Sequence, residues 1–195
     1  YRNKMQMPVG GVRGDIQMGF YAVGSHDIVQ GTNCPIQDEG NNRIAQVCYD
    51  IAKELDVEPY DEYTGKGVLR HVIGRIGQSG WMVILVTATE YLPHQKEWVD
   101  RIINCIPQVE TIIHNVNSKR TNVILGPTNH VLYGDGMITD HIKDLRFTLS
   151  PHSFFQVNPE QTTVLYDQAL AYADLKGNET VIDAYCGTGT ISLFL

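Results

Sequence analysis

The decapeptide Val181-Ile182-Asp183-Ala184-Tyr185-Cys186-Gly187-Thr188-Gly189-Thr190 decides how this chain is read. Its apolar start predicts a strand over Glu179–Ala184, with the Asp183 carboxylate near the strand end. Two glycines then make a turn, and Thr190 opens a helix. Glycine lets a backbone approach a ligand closely, and the free N–H groups of a helix start can meet its polar atoms. The stretch therefore predicts a cofactor-binding unit of α/β type.

The spacing narrows the cofactor. A dinucleotide fingerprint needs G-x-G-x-x-G/A after the strand, with an acidic residue about 20 positions downstream. Here Gly187 and Gly189 fill the first two places, Ser192 stands in the third, and the acid comes before the turn. That argues against a nicotinamide enzyme, and no phosphate-binding lysine of the P-loop kind is present. An acid followed by C-G-x-G resembles the S-adenosylmethionine turn of Rossmann-like methyltransferases, where the carboxylate lies near the positively charged methionine portion. A plain strand–turn–helix, with its glycines serving geometry alone, is the competing reading.

A second segment lies upstream, Ser153-Phe154-Phe155-Gln156-Val157-Asn158-Pro159. Asn158 is a natural N-cap, Pro159 suits the first helical position and Gln161 the third, so a helix is expected over Asn158–Ala173. Gln156 falls just outside that helix, where its amide can reach a ligand. Phe154 and Phe155 are adjacent, so in extended backbone one enters the core while the other faces a cleft. A hydrophobic staple ahead of a capped helix explains the same residues without a ligand.

In order along the chain, Tyr1-Arg2-Asn3-Lys4, Asn33-Cys34-Pro35, Leu69-Arg70-His71, Ser153 to Pro159 and Asp183 to Gly189 resemble the RNA (uracil-5-)-methyltransferases, the 23S ribosomal RNA branch above all. The resemblance covers all 195 residues. It implies a mixed α/β central domain over 1–150, facing RNA and associated with an iron–sulfur centre in relatives. The opening of a Rossmann-like methyltransferase domain follows over 151–195. It implies S-adenosyl-L-methionine as cofactor, contacted by Gln156 and Tyr185, with Gly187 and Gly189 shaping the turn. It implies 5-methyluridine as product. A cysteine thiolate adds to C6 of the uracil, C5 takes the methyl group, and a base removes the C5 proton. In the family that nucleophile and base lie far downstream, so no catalytic residue is expected within this chain and the chain alone is expected to be inactive. Cys186 belongs to the cofactor turn and has no neighbouring histidine or base in sequence to activate it.

Many relatives hold a 4Fe-4S cluster by three cysteines upstream of the YRNK segment and a fourth in a Cys-Pro element. Cys34 matches the fourth. One cysteine cannot hold a cluster, so residues 1–195 are not expected to hold one by themselves. RNA is the implied partner, ribosomal in preference to transfer RNA, with Arg2, Lys4, Arg70, His71 and Phe154 as contact candidates. A transfer RNA uracil-5 methyltransferase and a non-catalytic RNA-binding module with a vestigial cofactor turn are the alternatives.

Composition fits a globular chain, with 43% hydrophobic and 19% charged residues. Apolar runs such as Met82–Val86 are far too short to span a bilayer, and no protein partner is inferable. Four cysteines without a C-x-x-C pair suit reduced thiols in the cytoplasm. The seven histidines lack the i, i+4 pair of a zinc helix. His152, beside the Phe pair, is a second candidate for the cofactor cleft. The formal charge of −7 opposes RNA binding, which rests on lysine and arginine neutralising phosphates. Distribution counters it: Arg2, Lys4 and Arg13, then Lys66, Arg70, His71 and Arg75, then Lys119 and Arg120 form basic groups.

Periodicity fills in the rest. Residues 1–30 predict strands joined at Gly10-Gly11 and Arg13-Gly14. Residues 40–56 predict a helix, and 68–76 with 81–88 a hairpin around Gly77–Gly80. Pro93 opens a helix that Pro107 closes, and strands are expected at Val109–Val116, at Val123–Leu125 and on to Leu149.

Overall fold

The computed structural model describes residues 1–195. Strands β1 (Lys4–Val12) and β2 (Asp15–Tyr21) form a hairpin that turns at Arg13-Gly14, where Gly14 takes φ +83°. The second expected joint, Gly10-Gly11, is not a turn. Both glycines pair inside the ladder, opposite Gln17 and Ile16. A Cβ on Gly11 would lie 2.4 Å from the Asp15 carbonyl oxygen, so this glycine serves close strand approach.

A short β3 (Ile28–Gln30) follows, then α1 (Glu39–Glu54), whose N-cap Asp38 accepts a hydrogen bond from the Gly40 N–H at 2.8 Å. Strands β4 (Leu69–Ile76) and β5 (Trp81–Thr87) form the expected hairpin. Helix α2 (Gln95–Cys105) carries the chain back, so that β6 (Val109–Val116) pairs parallel to β5. The next strand is β7 (Thr128–Tyr133), not the expected Val123–Leu125. There the carbonyls of Val123 and Ile124 accept from the Asn117 side chain at 2.6 and 2.9 Å, which satisfies the backbone without a ladder.

The seven strands lie in the order β3-β2-β1-β4-β5-β6-β7, and β8 (Ile138–Ile142) with β9 (Leu145–Leu149) make a separate hairpin. The sheet is covered on both faces. Val83 and Leu85 of β5 join Ile44, Cys48 and Ile51 of α1 and Trp98 and Ile102 of α2 in one core. Met82, Ile84 and Val86 of the same strand join Ile138, Ile142, Phe147 and Leu149 of the β8–β9 hairpin in the other. A strand buried on both sides reads as an unbroken apolar run, which is why Met82–Val86 shows no alternation.

Helix α3 (Pro159–Ala173) begins as its sequence predicts, with the Asn158 side chain accepting from the Gln161 N–H at 3.1 Å. Phe155 and, from α3, Tyr166 pack into the second core. Thr190 opens α4 (Thr190–Phe194). The strand expected over Glu179–Ala184 does not form. No strand of residues 1–195 runs beside it, and a strand is stable only against a partner, so Val181 and Ile182 stand exposed.

Candidate functional site

The glycine turn takes the conformation its residues permit. Gly187 and Gly189 have φ +57° and +74°, a left-handed pair that a side chain would strain. A Cβ on Gly187 would meet nothing within 4 Å, so the turn faces open space. The Asp183 carboxylate holds the turn together. It accepts from the Tyr185 N–H at 3.2 Å and from the Ser192 hydroxyl at 2.5 Å. The Tyr185 ring is 98% exposed and touches no core. Cys186 is also exposed, and its thiol reaches only the neighbouring Gly187 carbonyl at 3.8 Å.

The two motifs meet. The Thr188 hydroxyl donates to the Phe154 carbonyl at 3.2 Å, and the Tyr166 hydroxyl lies 2.9 Å from that of Thr190. The Phe pair divides as extended backbone requires. Phe155 is buried against Phe147, with ring centroids 5.5 Å apart, while Phe154 is 73% exposed. Gln156, which follows them, is half-buried. Next to it, the Val157 carbonyl accepts from the Asn3 N–H at 2.8 Å. The YRNK segment therefore flanks the Phe154–Gln156 segment. His152 does not join this cluster. Its ring bonds the Gly126 carbonyl at 3.0 Å and the Asn129 amide at 3.4 Å.

Arg2, Lys4 and Cys34 line one groove of about 280 Å³ with Gln6, Phe20, Ile36 and Gln37. Asn42 fixes the Cys34 backbone, accepting from its N–H at 3.0 Å and donating to its carbonyl at 3.2 Å. No three His, Cys, Asp or Glu side chains lie close enough together to hold a metal ion, so the residues present do not make up an iron–sulfur site. Burial first, then the charges of Arg75 and Arg2, push the Lys4 ammonium down to about 8 from 10.5. Between those values the folded chain binds fewer protons than the unfolded one, so stability rises with pH through that window. Lys4→Met is expected to raise the melting temperature at pH 7 and to remove the rise above pH 8. A melting curve against pH that matches the parent would contradict this.

Arg70 and His71 are not on the surface. The register shift between Leu69 and His71 makes Arg70 the extra residue of a bulge, so both adjacent side chains reach the same cavity. The Arg70 guanidinium donates to the carbonyls of Asn117 and Lys119, both at 2.8 Å, and pairs with Glu62 at 2.9 Å. It also lies 4.4 Å above the Tyr60 ring. Burial, then the Arg70 charge, pushes the His71 ring down to about 3, so it is neutral at physiological pH. The basic groups seen in sequence thus thin out in space. Arg13 pairs with Asp56 at 2.7 Å, and Arg75 donates to the carbonyls of Ser150 and Ser153 at 3.2 and 2.6 Å.

That last contact had no signal in sequence. Arg75 ties the strand β4 to the loop ahead of Phe154, and Asp140 accepts from the Asn3 amide at 3.3 Å beside it. Burial raises the Asp140 carboxyl above its usual range, against the opposing pull of the His141 N–H, the His141 ring and Arg75. Together these residues brace the YRNK segment and the Phe154–Gln156 segment against the same sheet.

No family model matches the chain. It is 52% identical over 197 residues to an uncharacterized RNA methyltransferase of Halalkalibacterium halodurans, covering 100% of this chain and 43% of that protein. An uncharacterized RNA methyltransferase of Clostridium acetobutylicum is 49% identical over 199 residues, with the same coverage. Among solved structures, the Pyrococcus abyssi tRNA (uracil-54, C5)-methyltransferase in complex with S-adenosyl-L-homocysteine superposes with a TM-score of 0.79. That match has 22% sequence identity and covers 99% of this chain and 45% of the other. The fold is thus that of part of a methyltransferase structure. Over its whole length the chain is similar to proteins named RNA methyltransferases, and it spans 43% of their length.

Proposed function

We propose that this chain is part of an S-adenosyl-L-methionine-dependent RNA methyltransferase that forms 5-methyluridine, in 23S ribosomal RNA within the cytoplasm. The observation that carries the reading is the Thr188–Phe154 hydrogen bond, which closes the glycine turn onto the segment bearing Gln156. An open left-handed glycine pair, an acid behind it and an amide beside it form a cradle suited to the cofactor. The similarity to proteins named RNA methyltransferases supports the same reading.

In this proposal S-adenosylmethionine supplies an electrophilic methyl group. Gln156 hydrogen-bonds the cofactor, Tyr185 lays its exposed ring against it, and Gly187 and Gly189 let the backbone approach. Arg2 and Lys4 contact the RNA backbone from the adjoining segment, and exposed Phe154 offers a stacking face to a base that has left its helix. Arg70 and His71 contribute from within their cavity. The cysteine that adds to uracil C6 and the base that removes the C5 proton come from outside residues 1–195. Cys34 serves as one ligand of a 4Fe-4S cluster whose other ligands also lie outside these residues. A transfer RNA substrate is the second reading, favoured by the name of the structural neighbour.

The test is Gln156→Ala in the full-length protein, with S-adenosyl-L-homocysteine binding read by calorimetry. Loss of one hydrogen bond of about 0.5–1.5 kcal/mol predicts affinity weakened roughly 2- to 10-fold, with the melting temperature unchanged. Unaltered affinity would remove Gln156 from the site.

A further inference from the structure

The cavity reached by Arg70 and His71 has a volume of about 560 Å³, within the range of about 300–1,000 Å³ common for small-ligand sites. It opens beside the carboxyl ends of the parallel pair β5–β6. The start of β4 lies there, opposite Val86 and Thr87, and the loop Arg120–Ile124 that follows β6 forms the facing wall. In α/β sheets ligands favour that end of the strands. Two residues of its lining each carry a buried polar atom without a partner, Arg70 at Nε and His71 at Nδ1. An unpaired buried polar atom costs free energy unless something meets it.

The wall carries a carboxylate as well as the guanidinium groups of Arg70 and Arg120, so it is not a plain anion site. Glu62 already neutralises Arg70, and its carboxylate stands in the same wall. What remains of this pair is the Arg70 guanidinium, whose Nε–H has no partner, and the His71 ring, whose Nδ1 has none. Tyr21 and His26 flank them, with rings packed edge to face at 5.1 Å. A neutral planar heterocycle with polar atoms along its edge satisfies all of these. Its edge meets Arg70 and His71, and its face meets the aromatic rings.

We propose that this cavity holds an unstacked nucleobase of the RNA substrate, a second one distinct from the base that receives the methyl group. The inference rests on the RNA reading above and adds a base-specific subsite to it. The bulge at Arg70 is what makes the subsite, because a regular strand would send Arg70 and His71 to opposite faces.

Fluorescence anisotropy on the full-length protein tests this. One probe is a fluorescein-labelled nine-nucleotide single-stranded RNA of mixed sequence, and the other is its abasic counterpart. A base seated in an aromatic pocket is worth about 1–3 kcal/mol, so the base-bearing strand should bind about 5- to 150-fold more tightly. Asn122→Trp, on an exposed loop position of the wall, should block the cavity and bring that affinity down towards the abasic value. His71→Phe keeps a ring but removes the unpaired nitrogen, and should reduce the preference in the same direction. Circular dichroism confirms that each variant is folded. Equal affinity for both strands, or a preference that survives both variants, would overturn the base subsite while leaving RNA binding intact. No binding of either strand would overturn the RNA reading along with it.

Discussion

Replacing Arg70 with methionine is expected to lower stability by about 3–5 kcal/mol, read from the shift of the denaturant midpoint. The side chain is 2% exposed, and its two terminal nitrogens are engaged by Glu62 and by the carbonyls of Asn117 and Lys119. Methionine fills much of the same volume, so packing is nearly preserved. The loss comes from three acceptors left without their donor, the Asn117 carbonyl on a buried residue above all. The Asn117–Lys119 loop is then untied from β4, and the cavity wall loses its anchor. Glu62→Gln is expected to be milder, because the guanidinium keeps both carbonyls. A midpoint for Arg70→Met within about 1 kcal/mol of the parent would show that the network contributes little.

Trp98→Ala is expected to cost about as much, 3–5 kcal/mol, for a different reason. Trp98 is fully buried between α2 and the first core, where the parallel pairing of β5 and β6 depends on the helix that connects them. Truncation leaves a large cavity lined by apolar groups that cannot collapse into it. Trp98→Phe separates the two effects. It keeps most of the ring area and removes an indole N–H that has no hydrogen-bond partner, so its cost should stay near 1 kcal/mol. Equal losses for alanine and phenylalanine would contradict a cavity origin.

Much of the fold was legible because the sequence signals were local. The Asn158 cap, the Arg13-Gly14 turn and the β4–β5 hairpin each rest on residues within a few positions of one another. The failures share a cause. Gly10-Gly11 looked like a turn, yet both glycines pair inside the ladder with the facing strand β2. Val123–Leu125 looked like a strand, yet Asn117 claims its carbonyls from outside the window. Val181–Ile182 has strand composition but no neighbour to pair with.

At the site the balance differs. The glycine turn, the capped helix and the split Phe pair were visible as patterns, and their meeting through Thr188 was not. Arg70 and His71 stood out as a basic dipeptide, but only the bulge shows that both side chains enter one cavity. The Arg75–Ser153 and Asn3–Asp140 contacts span 78 and 137 residues, and nothing in a single sequence marks such pairs.

The most direct measurement uses the full-length protein with methyl-labelled S-adenosylmethionine and unmodified ribosomal RNA. The RNA is digested and the labelled nucleoside identified by mass spectrometry. Labelled 5-methyluridine is the expected result, and mapping its position fixes the substrate. Bound cofactor with no labelled 5-methyluridine in either ribosomal or transfer RNA would contradict the proposed reaction.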